Sequence, residues 1–65
     1  MEDRKYSLKE LRARKNETQV QTADALGVSV TTYAAWEKDI SNVGISKVIA
    51  VANHFEVPLT SILLH

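Results

Sequence analysis

Apolar positions along the chain recur every three or four residues, which marks a succession of short helices. Leu8 and Leu11 stand behind Ser7-Leu-Lys-Glu10, a capping box in which the serine hydroxyl accepts from an early helical N–H and the glutamate reaches back to the cap N–H. This predicts a first helix over about residues 7–15, ended near Asn16, with the stem of Lys15 extending its apolar side. Thr18-Gln-Val-Gln21 opens a second helix that runs to Leu26, with Ala23 and Leu26 on one face. Gly27 then supplies the left-handed residue that stops it, and Val28 packs back. Ser29 caps a third helix, Val30–Lys38, whose apolar face holds Tyr33, Trp36 and either Val30 or Ala34. Asp39–Val43 reads as a polar loop. A fourth helix from Gly44 or Ile45 to Phe55 carries Ile45, Val48, Ile49, Ala52 and Phe55 at i, i+3, i+4, i+7 spacing. Val57-Pro58 starts a short last helix, with Leu59, Ile62 and Leu63 inward. The fold class is therefore all-α, five short helices, with an N-terminal arm over 1–6 and one domain over 7–65.

The segment from Gln19 to Lys38 is the most specific. Ala stands at its fifth place and Gly at its ninth, with apolar groups at the eighth, tenth, fifteenth and eighteenth. Each has a reason if two helices meet steeply across a tight turn. Ala23 is small where the third helix crosses, Gly27 makes the turn, and Leu26, Val28, Tyr33 and Trp36 wedge the pair onto the other helices. This is the helix-turn-helix pattern, spanning about residues 18–38.

Composition narrows the rest. At 65 residues and 7.3 kDa, with 45% hydrophobic residues, there is room for one small domain with a marginal core. The chain has no Cys, hence no disulfide or zinc finger, and only two Gly and one Pro, which disfavours a turn-rich β domain. The longest apolar run is five residues, Val48–Ala52, too short to span a membrane, so a soluble cytosolic protein is expected. Eight basic and eight acidic residues cancel, but residues 1–15 are net +3 and residues 16–65 net −3. The first segment is a positive edge or a solvated helix face. No nucleophile–base pair, catalytic carboxylate pair or phosphate-cradling glycine loop is present. His54 and His65 lack metal-ligand spacing, and His54 suits the negative end of its helix. A non-enzyme without metal, cofactor or small-molecule substrate is expected. Trp36 reads as core and Tyr6 as a staple residue ahead of Ser7.

Residues 7–64 resemble the Cro/CI-type, XRE-like helix-turn-helix regulators of phages and bacteria. The carrying residues are Leu8, Leu11-Arg12, Thr18-Gln19, Ala23, Leu26-Gly27-Val28-Ser29, Tyr33, Trp36-Glu37-Lys38, Val51-Ala52, Phe55, Val57, Leu59 and Ile62-Leu63. The resemblance implies a lambda-repressor-like domain whose second helix lies over the DNA backbone and whose third enters the major groove, in a bacterial or phage-infected cytoplasm. It places Val30, Thr31 and Ala35 toward the bases, with Ser29 on the same groove-facing side. It puts Gln19 at phosphate, with Asn42, Ser46 and Lys47 near neighbouring phosphates, and it pairs Arg12 with Glu37. Physical chemistry adds Thr18, Thr32 and Lys38 to the backbone contacts. Three helix starts, at Gln19, Ser29 and Ser46, offer unpaired N–H groups that bind phosphate without lysine. Val30 and Ala35 offer only apolar contact, most naturally to thymine methyls, while Thr31 and Thr32 bond a base edge or a phosphate. Without Arg, Asn or Gln on the third helix, modest direct readout, some A·T preference and a share of shape readout are expected.

The chain departs from the family pattern at three places. Thr22 replaces a large aliphatic residue, with an expected cost of about 1–2 kcal/mol to the core. Lys38-Asp39 replaces the usual glycine after Trp-Glu. Glu37 and Asp39 set negative charge near the expected DNA surface. Neutral net charge predicts weak non-specific DNA affinity. With no second domain in the sequence, weak two-fold dimers forming mainly on the operator are expected, with Leu59, Ser61 and Leu64 as the candidate seam. Two functions remain: a Cro-like regulator that occupies an operator, and a protein-interaction module on the same fold, such as an antirepressor or antitoxin-like partner.

Overall fold

A computed structural model of the chain describes residues 5–62. Four α-helices follow one another: α1 (Leu8–Lys15), α2 (Gln19–Leu26), α3 (Val30–Lys38) and α4 (Ile45–His54). Both capping boxes are formed in full, Ser7 with Glu10 and Thr18 with Gln21, and Ser29 caps α3 through the Thr32 N–H. These starts are local chemistry: a side-chain oxygen satisfies an N–H that the helix leaves without a partner.

The expected fifth helix is a single 3-10 turn, Leu59–Ser61. Two of its carbonyls meet the start of the described chain. The Ser61 carbonyl accepts the Tyr6 N–H at 2.7 Å and the Thr60 carbonyl accepts Lys5 Nζ at 2.6 Å. Ile62 instead takes an extended backbone and forms an isolated parallel bridge with Tyr6, tying the two ends of the described chain together. Leu63 and Leu64 lie outside the described residues.

The helices enclose Leu8, Leu11, Ala23, Tyr33, Ile40, Val48, Val51, Ala52, Phe55 and Ile62, with Tyr6, Leu26, Val28, Trp36, Val43 and Val57 packed around them. Ile40 and Val43 correct the reading of 39–43 as a polar loop. Lys15 is exposed and its stem adds nothing to the core. On α3 the choice between Val30 and Ala34 falls to Ala34, which is half-buried while Val30 is 40% exposed. The inward stripe of α4 is also rotated from expectation. Val48, Val51, Ala52 and Phe55 are buried, whereas Ile45 and Ile49 are 64% and 43% exposed. Apolar residues cover a wider arc of α4 than the core can contact, so periodicity alone does not choose between two overlapping stripes.

Thr22, which stands where a large aliphatic residue is expected, is completely buried, and its hydroxyl has partners there. Its Oγ1 donates to Glu17 Oε1 at 2.6 Å, and His54 Nε2 lies 2.8 Å from the same oxygen. A buried polar group with a charged acceptor is satisfied rather than stranded. The trio joins the α1–α2 connection, α2 and the last residue of α4.

Three helices end alike. Asn16, Gly27 and Glu56 take left-handed backbone at φ 60, 72 and 58°. The next N–H in each case reaches back five residues, Glu17 to Arg12, Val28 to Ala23 and Val57 to Ala52. A Cβ at Gly27 meets nothing within 4 Å, so glycine is required there by backbone angle and not by space. Glu56 bears the corresponding strain at an exposed position. Glu56→Gly is expected to raise stability by about 0.5–1 kcal/mol and Gly27→Ala to lower it by about 1 kcal/mol, both read by urea denaturation with unchanged slope.

Candidate nucleic-acid interface

The turn at Gly27 crosses α3 against α2, and their packing decides what α3 buries. Tyr33 is fully buried, with the Trp36 ring edge-on to it at a centroid distance of 6.4 Å. Val30, Thr31, Ala35 and Lys38 are thereby turned outward. Together with Gln19 and Ala34 they line an open groove of about 440 Å³. All three residues expected to face bases therefore share one surface with two of those expected at the backbone. Ala34, weighed only as core, is part of the same wall.

The other positions are distributed differently. Thr18 accepts the Gln21 N–H, and its own hydroxyl proton remains to donate. Ser29 accepts the Thr32 N–H at 3.1 Å and donates to Thr32 Oγ1 at 2.9 Å, so the Thr32 hydroxyl is held with its proton directed elsewhere. Both arrangements suit an anion at a helix start. Asn42 is exposed on the loop, and Ser46 and Lys47 are exposed on the first turn of α4, outside the groove. Gly44 caps α4 without a side-chain bond, leaving the Ile45 and Ser46 N–H groups with no partner inside the helix. Of the candidate dimer seam, Leu59 is 37% exposed, Ser61 is half-buried and Leu64 lies outside the described residues.

A polar network behind the groove fixes its geometry. Arg12 Nε lies 2.6 Å from Glu37 Oε2, and Arg12 Nη1 donates to the Glu17 carbonyl at 3.0 Å. Gln19 Nε2 donates to Glu37 Oε1 at 3.0 Å. The Gln19 side chain is thus less available to phosphate than the resemblance implies. Its amide nitrogen faces the carboxylate, which orients its oxygen as an acceptor. The Tyr33 hydroxyl is buried beside this network without a partner in hydrogen-bond geometry, and burial raises its pKa. Asp39 is used locally: its Oδ1 accepts both the backbone N–H and the hydroxyl of Ser41.

The charges follow the contacts. Burial pushes the Glu37 carboxyl up, but hydrogen bonds from Arg12 and Gln19 outweigh it and hold it below its ordinary value. The Glu17 carboxyl is lowered by the Thr22 hydroxyl first and His54 second. The bond to Glu37 raises the Arg12 guanidinium.

Sequence reasoning missed Glu17, Thr22 and His54 as a unit. The available signal was a hydroxyl at a position that packs as core, close in sequence to an acid.

Arg12→Ala leaves Glu37, 8% exposed in its side chain, without its countercharge. The expected cost is about 2–3 kcal/mol. Adding Glu37→Leu recovers part of it, as measured by thermal melting. Both carboxylates bind protons more readily in the unfolded chain. The stability they contribute is complete above pH 4.5 and is lost as pH falls below it. Glu17→Gln is expected to make that acid limb shallower in melts recorded from pH 7 downward.

A helix-turn-helix family model matches residues 8–62, which spans all four helices and the closing turn. No curated protein and no solved structure matches the chain. Among the described residues no helix is long and apolar enough to cross a membrane. The match coincides with the crossed pair α2–α3 and its outward groove, and the chain belongs to the helix-turn-helix family as an XRE/Cro-like regulator.

Proposed function

We propose that this DNA-binding regulator occupies a specific operator by inserting α3 into the major groove, and that it does so as a two-fold dimer without catalysing a reaction. The observation that carries the reading is the outward face of α3: Val30, Thr31, Ala35 and Lys38 are exposed beside the start of α2. An α-helix fits the major groove, and the neighbouring helix starts then meet the phosphates on either side.

The division of labour follows from side-chain chemistry. Thr18, Ser29 and Thr32, with Lys38, Asn42, Ser46 and Lys47, hold the backbone and set the register. Such contacts carry no sequence information. Thr31 has a hydroxyl for a base edge, and Val30 and Ala35 have only carbon. Glu37 does not repel DNA as a bare charge, because Arg12 and Gln19 absorb it. Asp39 is likewise engaged by Ser41. Both acidic residues near the expected DNA surface are in this way tied into the fold. A bacterial or phage-infected cytoplasm is the setting this reading implies.

The experiment is selection of bound duplexes from a random library, followed by mobility-shift titration at two salt concentrations. The expected result is an enriched two-fold-symmetric site with half-site centres about 10 base pairs apart, and an affinity that falls steeply with salt. No enrichment and no shift at micromolar protein and low salt would sink the reading in favour of the protein-interaction module. Thr31→Ala is expected to weaken binding to the selected site roughly threefold to tenfold while leaving the melting temperature and random-duplex binding unchanged.

A further inference from the structure

The fold does not consume all the cations of the basic first segment. Arg12 is paired with Glu37, and Lys5 donates to the Thr60 carbonyl. Arg14 and Lys15, in the last turn of α1, are exposed. The Arg14 guanidinium lies over the Tyr6 ring, and Lys15 attracts Glu17 only through space. Neither side chain makes a hydrogen bond or an ion pair among the described residues. The two cations stand on the rim of a second groove, of about 280 Å³, between α1 and the end of α4. Buried Leu11 and Phe55 and half-buried Val57 give it an apolar floor, and exposed Glu56 is the one acid on its rim. This groove shares no residue with the one beside α3. Along α4 it lies about 13 Å from Ser46, at the opposite end of the helix.

The geometry points to a second interaction surface: the groove between α1 and the end of α4 holds an acidic peptide segment of a partner protein, with one large apolar side chain of that segment on its floor. This goes beyond the DNA-binding reading and does not depend on it. Charge complementarity selects the occupant. Two cations against one acid leave the rim positive, and the Arg14 guanidinium offers a fork of N–H donors that matches a carboxylate. The floor is small, so it takes a single side chain, and an apolar anchor within a polar rim is the arrangement that concentrates binding energy. A phosphate would meet the cations, but it would leave the floor unfilled and would face Glu56. A peptide turns Glu56 to use, because its backbone N–H groups donate to a carboxylate. Glu56 holds that place in a left-handed backbone at φ 58°, where glycine would be less strained. With acids drawn to α1 and N–H groups to Glu56, the groove also gives the peptide a sidedness.

The test titrates the full, isotope-labelled chain with a short capped peptide that carries one Phe between runs of Asp and Glu, and follows amide shifts. The expected changes centre on Leu11, Arg14, Lys15, Phe55 and Val57, and they persist when the selected duplex is present. Replacing the peptide Phe by Ala is expected to weaken binding roughly tenfold, and replacing its acids by Lys to abolish it. On the protein side, Arg14→Gln combined with Lys15→Gln is expected to weaken binding roughly fivefold, with a melting curve to show that the variant folds. Lys15→Glu leaves the Arg14–Tyr6 stack in place and is expected to cost a similar factor. The inference is overturned by an absence of shifts at millimolar peptide, by shifts centred on α3 or the start of α4, or by displacement of the peptide by the duplex. Equal affinity for the Phe and Ala peptides, or unchanged affinity in both folded variants, overturns it as well. Shifts at these residues on dilution of the free chain, with none on adding peptide, assign the groove to a second copy of the chain and overturn it too. The DNA-binding reading survives each of these outcomes, since library selection tests it separately.

Discussion

The Glu37 carboxylate is the constraint on which the rest of the interface depends. It sits near the end of the helix proposed to read DNA, with its side chain only 8% exposed. A lone charge there would oppose both folding and approach to a polyanion. Arg12 from α1 and Gln19 from α2 resolve this by donating to its two oxygens. One carboxylate therefore fixes three helices relative to one another, and the direction in which α3 faces follows from that. The second guanidinium arm of Arg12 reaches the Glu17 carbonyl, immediately before the α2 cap. From Glu17 the contacts continue to Thr22 and His54. The angle between α2 and α3 is thus set by polar bonds that run from α1 to the end of α4, as well as by packing around Tyr33.

Such a network has particular value in a small domain. A chain of this size buries a limited apolar surface, and packing alone specifies its helix angles loosely. Directional bonds to charged acceptors are stronger than neutral ones and tolerate less displacement. Neutral overall composition fits the same logic. The cations that other DNA-binding proteins spend on phosphate are here partly spent on structure: Arg12 pairs with Glu37, Arg14 lies 4.6 Å from the centroid of the Tyr6 ring, and Lys5 holds the Thr60 carbonyl. In the proposed complex, helix starts and hydroxyls join Lys38 and Lys47 in meeting the backbone.

Much of this was legible in the sequence where the deciding physics is local. The bounds of α2 and α3 follow from Thr18, Gln21, Gly27 and Ser29, each of which acts on neighbours within a turn. The exposed positions Val30, Thr31 and Ala35 follow from the burial of Tyr33 on the opposite side. What was not legible depends on distant partners. His54 meets Glu17 across 37 residues, and no periodicity predicts that. The last segment has helical spacing at Leu59 and Ile62, yet Ile62 leaves the helix after one turn and pairs with Tyr6, while the Thr60 and Ser61 carbonyls accept from residues 5 and 6. In α4 six apolar residues define two stripes, and only the position of the core rejects Ile45 and Ile49. Glu56 occupies a left-handed position that its residue type does not announce. The Arg12–Glu37 pairing came from the family resemblance, since nothing in the spacing of two residues 25 apart requires it.

The central claim is that the outward face of α3, held by this network, is the surface that meets duplex DNA. Amide and methyl chemical-shift mapping of the folded chain titrated with its selected duplex addresses it residue by residue. The account predicts the largest changes at Gln19, Thr31, Ala35 and the Val30 methyls, with the buried Val51 and Ala52 little altered. Changes concentrated instead at Ile45, Ile49 and Leu59, with α3 unmoved, would contradict it.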